Sequence, residues 1–347
     1  MNKYHIATIM ALATACRSAP APAPSEAAAP MRPVPTTSAP PVARPAEAPS
    51  PDARPVPSQP PAPNTMMPQN PSPMQEHIRT HERLEQPRRP DDGVHFAIDS
   101  VLPRAIDVFI PQRAMTVEAA PLLIHFMGST WIPQRAIALM KEPVVVAAVF
   151  LGSGSSTYSR PFANDTLLYG RMLDSIKARI AQVSGAPRIS AVYLSGWSAG
   201  YGAIREVLRR PEYLPRVDGV LLIDGIHTSY IPDRRVLNEG GVLDTTGIAP
   251  FAAFGRLAVA GSKRFIITHT EIFPGTFAST TECTDWVLDA LGLKRTPVLE
   301  WGPMGTQLIS RTQKGRFEVL GFAGNSAPDH VDLIHGMGAF VSRLIAP

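Results

Sequence analysis

Cysteine is nearly absent: the 347 residues hold two, Cys16 and Cys283. That excludes a fold held by several disulfides, so the chain must rely on buried apolar surface. Glycine and tryptophan are missing from the first 92 residues, and all 25 glycines and 4 tryptophans fall at or after Gly93. Proline does the reverse: 21 of 37 lie between Pro20 and Pro90, interleaved with Ala, Ser, Thr and Arg. A stretch so poor in large apolar side chains cannot offset its ordering entropy by burial. Residues 16–92 therefore read as a cysteine followed by a disordered Pro/Ala-rich linker. Fully extended, it would reach on the order of 200 Å.

An excess of one charge sign is lacking too. The net charge is +4, with nine basic and eight acidic residues before Gly93 and 24 and 21 after it. No basic block carries interleaved aromatics, which leaves no footprint for nucleic acid. No internal repeat is visible. Residues 1–15 differ from the linker: a basic start at Lys3, an apolar stretch from Ile6 to Ala15, and small residues before Cys16. That stretch is too short to cross a bilayer but suits the core of a signal peptide. Its end, "LATAC", resembles a bacterial lipobox, departing from it in having Leu12 one position early and Ala13 in its place. The resemblance implies cleavage before Cys16, a lipid on that cysteine, and a membrane-tethered protein of the cell envelope with the linker as spacer. A plain secretion signal, giving a secreted or periplasmic protein, and a cytosolic N-terminus are the other readings. With Cys16 lipidated, Cys283 has no partner and reads as a core thiol.

From Gly93 onward about 255 residues remain, the size of one large α/β domain. Residues 95–111 look like an opening antiparallel pair. "PLLIHFMG" (121–128), "PVVVAAVFLG" (143–152), "RISAVYLSG" (188–196), "VDGVLLIDG" (217–225), "KRFIITHT" (263–270) and "RFEVLGFAG" (316–324) follow as strands. Their near-continuous apolar runs are those of strands buried on both faces. Helices are expected over 131–142, 165–183, 199–210 and, as one closing helix, 331–345. Strands alternating with helices imply a mostly parallel sheet covered on both faces, with ligands beyond the carboxyl ends of the strands.

One strand end carries "SGWSAG" (195–200), in which Gly196-Trp197-Ser198-Ala199-Gly200 is a G-x-S-x-G pentapeptide. Between a strand and a helix, the pattern marks a sharp turn that lifts the serine into a cleft, the glycines removing side chains that would clash. The helix that follows directs its positive end at the site. Elsewhere the same five residues are a Gly/Ser turn and no more.

At this point residues 93–347 resemble the α/β-hydrolase superfamily, in particular its serine esterase-like members. The resemblance implies a mostly parallel sheet of about eight strands and a triad in chain order nucleophile, acid, histidine. It makes Ser198 the nucleophile and Ala199 one oxyanion donor. The second donor should come from "HFMGSTW", where Met127 replaces the family's usual histidine, Gly128 matches and Ser129 would supply the amide. The base should follow the last strand: His330, placed in the loop after it, is preferred to His335, placed inside the closing helix. For the acid, Asp224 in "LLIDGIH" and Glu271 in "ITHTEI" both end strands, and the family more often uses the later one. Asp224, held at the rim of a buried sheet and needing a partner, is preferred.

Asp329 and Asp332 flank His330, but His330 and His335 are five apart and no His-Glu-x-x-His exists, so no metal is expected. No cofactor is expected either. "LGSGSS" (151–156) lacks the Lys of a phosphate-binding loop and reads as a loop bordering the cleft, His125 as a hydrogen-bonded core histidine, and 226–261 as a cap. The sequence thus points to a serine hydrolase cleaving a carboxylic ester of a small molecule or an envelope component through an acyl-enzyme. A peptidase or thioesterase would use the same residues. A catalytically silent binding lipoprotein of the same fold is the reading from another class.

Overall fold

The structure, a computed structural model, describes residues 89–346. The expected signal peptide, Cys16 and nearly all of the linker lie outside the described residues. In chain order the elements are β1 (Gly93–Ile98), β2 (Ile106–Pro111), β3 (Ala119–Phe126), α1 (Trp131–Leu139), β4 (Val145–Val149), α2 (Ser155–Asn164) and α3 (Leu168–Ala181). Next come β5 (Arg188–Trp197), α4 (Tyr201–Leu208), β6 (Gly219–Ile223), β7 (Tyr230–Ile231), β8 (Val242–Leu243), α5 (Ala249–Val259) and β9 (Arg264–His269). The rest is α6 (Thr280–Ala290), β10 (Thr296–Trp301), β11 (Gln307–Lys314), β12 (Phe317–Phe322), α7 (Ala327–His335) and α8 (Met337–Ile345).

Ten strands form one sheet in the order β1-β2-β4-β3-β5-β6-β9-β12-β11-β10. The expected count of about eight falls short by the β10–β11 hairpin. The six strands from β4 to β12 in that order run parallel, and each edge is closed by antiparallel pairing. β7 and β8 pair only with each other.

Two apolar layers hold the sheet. Along β6, Val220 and Leu222 face one way, toward Ile204 of α4, Phe251 and Phe254 of α5, and Val287 of α6. Leu221 and Ile223 face the other, toward Ile137 of α1 and Phe340 and Val341 of α8. The two-residue period of a strand feeds both layers at once, which is why these segments show no polar face in the sequence. Cys283 is a free, buried thiol on α6, as expected of a core cysteine. Helix α5 departs from the expected cap. Its Phe251 stacks on Phe265 of β9 and its Phe254 packs edge-on against the same ring, so it belongs to the sheet covering.

Candidate active site

Five non-glycine residues among those described have positive φ, and three of them end adjacent strands: Met127 (φ 77°) after β3, Ser198 (φ 48°) after β5 and Asp224 (φ 42°) after β6. Each costs about 1–2 kcal/mol for an L-residue, so the surrounding structure must impose it. The turn at Ser198 is imposed by contact. A Cβ on Gly200 would lie 2.2 Å from the Phe126 carbonyl oxygen, and one on Gly196 would lie 2.9 Å from the Gly200 backbone. The pentapeptide's glycines are therefore steric necessities, and the serine is the residue they expose.

Asp224 carries its carboxylate into the sheet rim. Its Oδ1 accepts from the Thr270 amide at 2.9 Å, and its Oδ2 from the Thr270 hydroxyl at 2.6 Å. The same Oδ2 accepts from His330 Nδ1 at 2.8 Å. Burial alone would push this carboxyl up, but the hydrogen bonds from His330 and Thr270 and the imidazole's charge hold it below the usual range. Asp224 is thus an anion and, through Nδ1, fixes the orientation of the imidazole. The imidazole Nε2 is buried and has no hydrogen-bond partner among the described residues.

Ser198, Asp224 and His330, with Met127 and Ala199, line one cavity of about 730 Å³. Ala199 is the second residue of a short helical turn (Ser198–Gly200), where first-turn amides have no partner within the helix. The structure does not bring the remaining candidates there. Ser129 lines a second cavity of about 530 Å³ with Arg104, Asp107 and Trp131. Glu271 is exposed, its amide bound to the Gly324 carbonyl. His335 ends α7 with its ring 5.7 Å from that of Trp131. One correction concerns His330 itself. It is not in a loop but in the first turns of α7, because Ser326 and Asp329 form a capping box that starts the helix four residues earlier than expected. The single closing helix is accordingly two, α7 and α8.

Sequence reasoning missed four positioning residues. Trp197, the variable residue before the serine, stacks on His330 (4.6 Å between ring centres) and donates its indole N–H to the His330 carbonyl at 3.1 Å. Thr270, not Glu271, is what the end of β9 contributes. His269 beside it, buried and held down to about 3 by burial and by Arg295, donates from Nδ1 to the Thr270 carbonyl. His227 lines the cavity, donating from Nδ1 to the Ala278 carbonyl at 2.9 Å, and burial holds it at about 4. Its proximity to "LLID" was the available sign. His125 is the expected core histidine, with Nε2 donating to the Met127 carbonyl at 2.7 Å and Nδ1 accepting from the Ser195 hydroxyl at 3.1 Å. The "LGSGSS" loop does border the cleft, through Ser153, Gly154 and the start of α2.

No family model and no curated protein matches the chain. Among solved structures, it is similar to an S-formylglutathione hydrolase from Agrobacterium tumefaciens, at 14% identity over 74% of this chain and 98% of that one, with a TM-score of 0.43. It is also similar to Est1E from Butyrivibrio proteoclasticus, at 9% identity over 74% of this chain and 100% of that one, with a TM-score of 0.38.

Proposed function

We propose that the chain is a serine hydrolase of the α/β-hydrolase fold, cleaving a carboxylic ester through an acyl-enzyme on Ser198. One observation carries the reading: His330, bound to Asp224 at 2.8 Å, shares a cavity with a serine held on a strained strand-to-helix turn. In this reading Ser198 Oγ attacks the ester carbonyl carbon while His330 Nε2 takes its proton. The carbonyl electrons move onto oxygen, where the Ala199 amide and the positive end of the helical turn stabilise them. Collapse expels the alcohol, which receives the proton from Nε2, and water then repeats the sequence to release the acid. Asp224 keeps the imidazole in the required tautomer and stabilises its cation. Trp197, stacked on that ring, favours the cation further.

The absence of a hydrogen bond to His330 Nε2 favours a second reading, a binding cleft that performs no chemistry. Catalytic contacts are often loose without substrate, so the hydrolase remains the stronger reading. A fluorophosphonate probe separates the two. Labelling of the wild-type protein, lost in Ser198→Ala with the circular dichroism spectrum unchanged, is the expected result. A wild-type protein that does not label would overturn the nucleophile assignment.

A further inference from the structure

The cavity is far larger than an ester group, and one end of it is built from polar parts that the chemistry above does not use. Helix α4 runs from the nucleophile turn along that end, setting Arg205 and Arg209 one helical turn apart. Glu206 lies between them, only 7% exposed. It accepts from Arg205 Nε at 3.0 Å and from Arg209 Nη1 at 3.0 and 2.9 Å. A buried carboxylate thus fixes two guanidiniums, and Arg209 Nη2 also donates to the Thr246 carbonyl at 3.0 Å, tying the opposite wall. That wall holds Asp244, whose Oδ1 accepts from the Thr246 amide and hydroxyl while its Oδ2 makes no hydrogen bond among the described residues. The Arg205 guanidinium reaches the same place: its Nη1 lies 3.7 Å from where a Cβ on Gly247 would sit.

Two guanidiniums, the buried Glu206 and Asp244 sum to zero charge, so this end offers no net attraction to an ion of either sign. It offers instead a fixed cationic donor and a fixed anionic acceptor, with Ser153 and Ser156, just before and at the start of α2, lining the same cavity. At the rim, Phe277 keeps 40% of its surface exposed, with its ring edge-on to His227 at 5.0 Å. Closely spaced donors and acceptors beside an open aromatic face match a ligand bearing several hydroxyls on a ring with apolar C–H faces.

Resting on the hydrolase reading, we propose that the alcohol part of the ester is a neutral polyhydroxylated ring, a sugar, held by Arg205 and Asp244. Charge-assisted hydrogen bonds of this kind are each worth roughly 10- to 100-fold in selectivity. The test compares ethyl acetate with methyl 6-O-acetyl-glucopyranoside, which share an acetyl group and a primary alcohol. The sugar ester should have the higher kcat/KM by at least tenfold, and Arg205→Met and Asp244→Asn should each collapse that ratio. A wild-type ratio near one, or a ratio that neither substitution moves, would overturn the proposal and leave the hydrolase intact. Should the hydrolase reading fail, titration of Ser198→Ala with the sugar ester, followed by tryptophan fluorescence, still decides. Binding that weakens in the Arg205→Met double variant supports the sugar site, and no binding overturns it.

Discussion

Asp224 is the residue on which the site's electrostatics turn. Thr270 satisfies both of its oxygens from one side and His330 one of them from the other, leaving a buried anion with a single ionisable partner. Asparagine tolerates the left-handed backbone at this position, so Asp224→Asn keeps the turn but removes the charge and permits the wrong imidazole tautomer. We expect kcat on 4-nitrophenyl acetate to fall by about 10³–10⁴-fold. Glu271→Gln should stay within twofold, since that side chain is exposed. The reverse pattern, a large loss in Glu271→Gln and a mild one in Asp224→Asn, would transfer the acid role to Glu271. The sequence offered both carboxylates at strand ends and no means to see that Thr270 would fill the place beside His330.

At the scale of elements, His125 joins β3 to β5 beneath the nucleophile turn, and it must stay neutral to do so. Its ring accepts at one nitrogen from Ser195 and donates at the other to Met127, an arrangement that protonation destroys. Burial lowers it from 6.5 to about 4. In the window between those values the unfolded chain binds the proton and the folded one does not, so stability is complete above about 6.5 and lost as the pH falls toward 4. The lowering corresponds to about 3 kcal/mol, with His227 adding to the same slope. Thermal melts should therefore show a midpoint dropping from pH 7 to pH 4, and His125→Gln should start lower but decline less steeply. Parallel curves for the two proteins would mean that His125 is not the group titrating. The buried parallel strands were legible because each reads as an apolar run such as "GVLLI". The β10–β11 hairpin was not: β10 (TPVLEW) is exposed at all but one position, and edge pairing by backbone alone leaves no apolar pattern to read. The start of α7 was missed for a local reason, the Ser326–Asp329 capping box standing just ahead of the apolar residues that mark the helix.

For the whole molecule, Ser198 and Asp224 were legible because each sits where a strand's apolar run stops, and His330 because it follows the last strand of the sheet in sequence. The polar end of the cavity was not, since Asp244 comes to line it together with Arg205 and Arg209 only through folding. The envelope reading rests on residues outside the described part, and we propose that Cys16 is diacylated and holds the protein to a membrane. Mass spectrometry should find a mature N-terminus at Cys16 bearing lipid, with the protein in the membrane fraction, and an N-terminus elsewhere would refute it. The arrangement of the site also sets an order in time. His330 is carried by α7 and stands 106 residues beyond Asp224. At roughly 5–20 residues per second, a growing chain carries Ser198 and Asp224 for about 5–20 s before His330 exists. On the hydrolase reading proposed above, the protein is born inert, and its reactivity begins only when the last strand and the helix after it have docked.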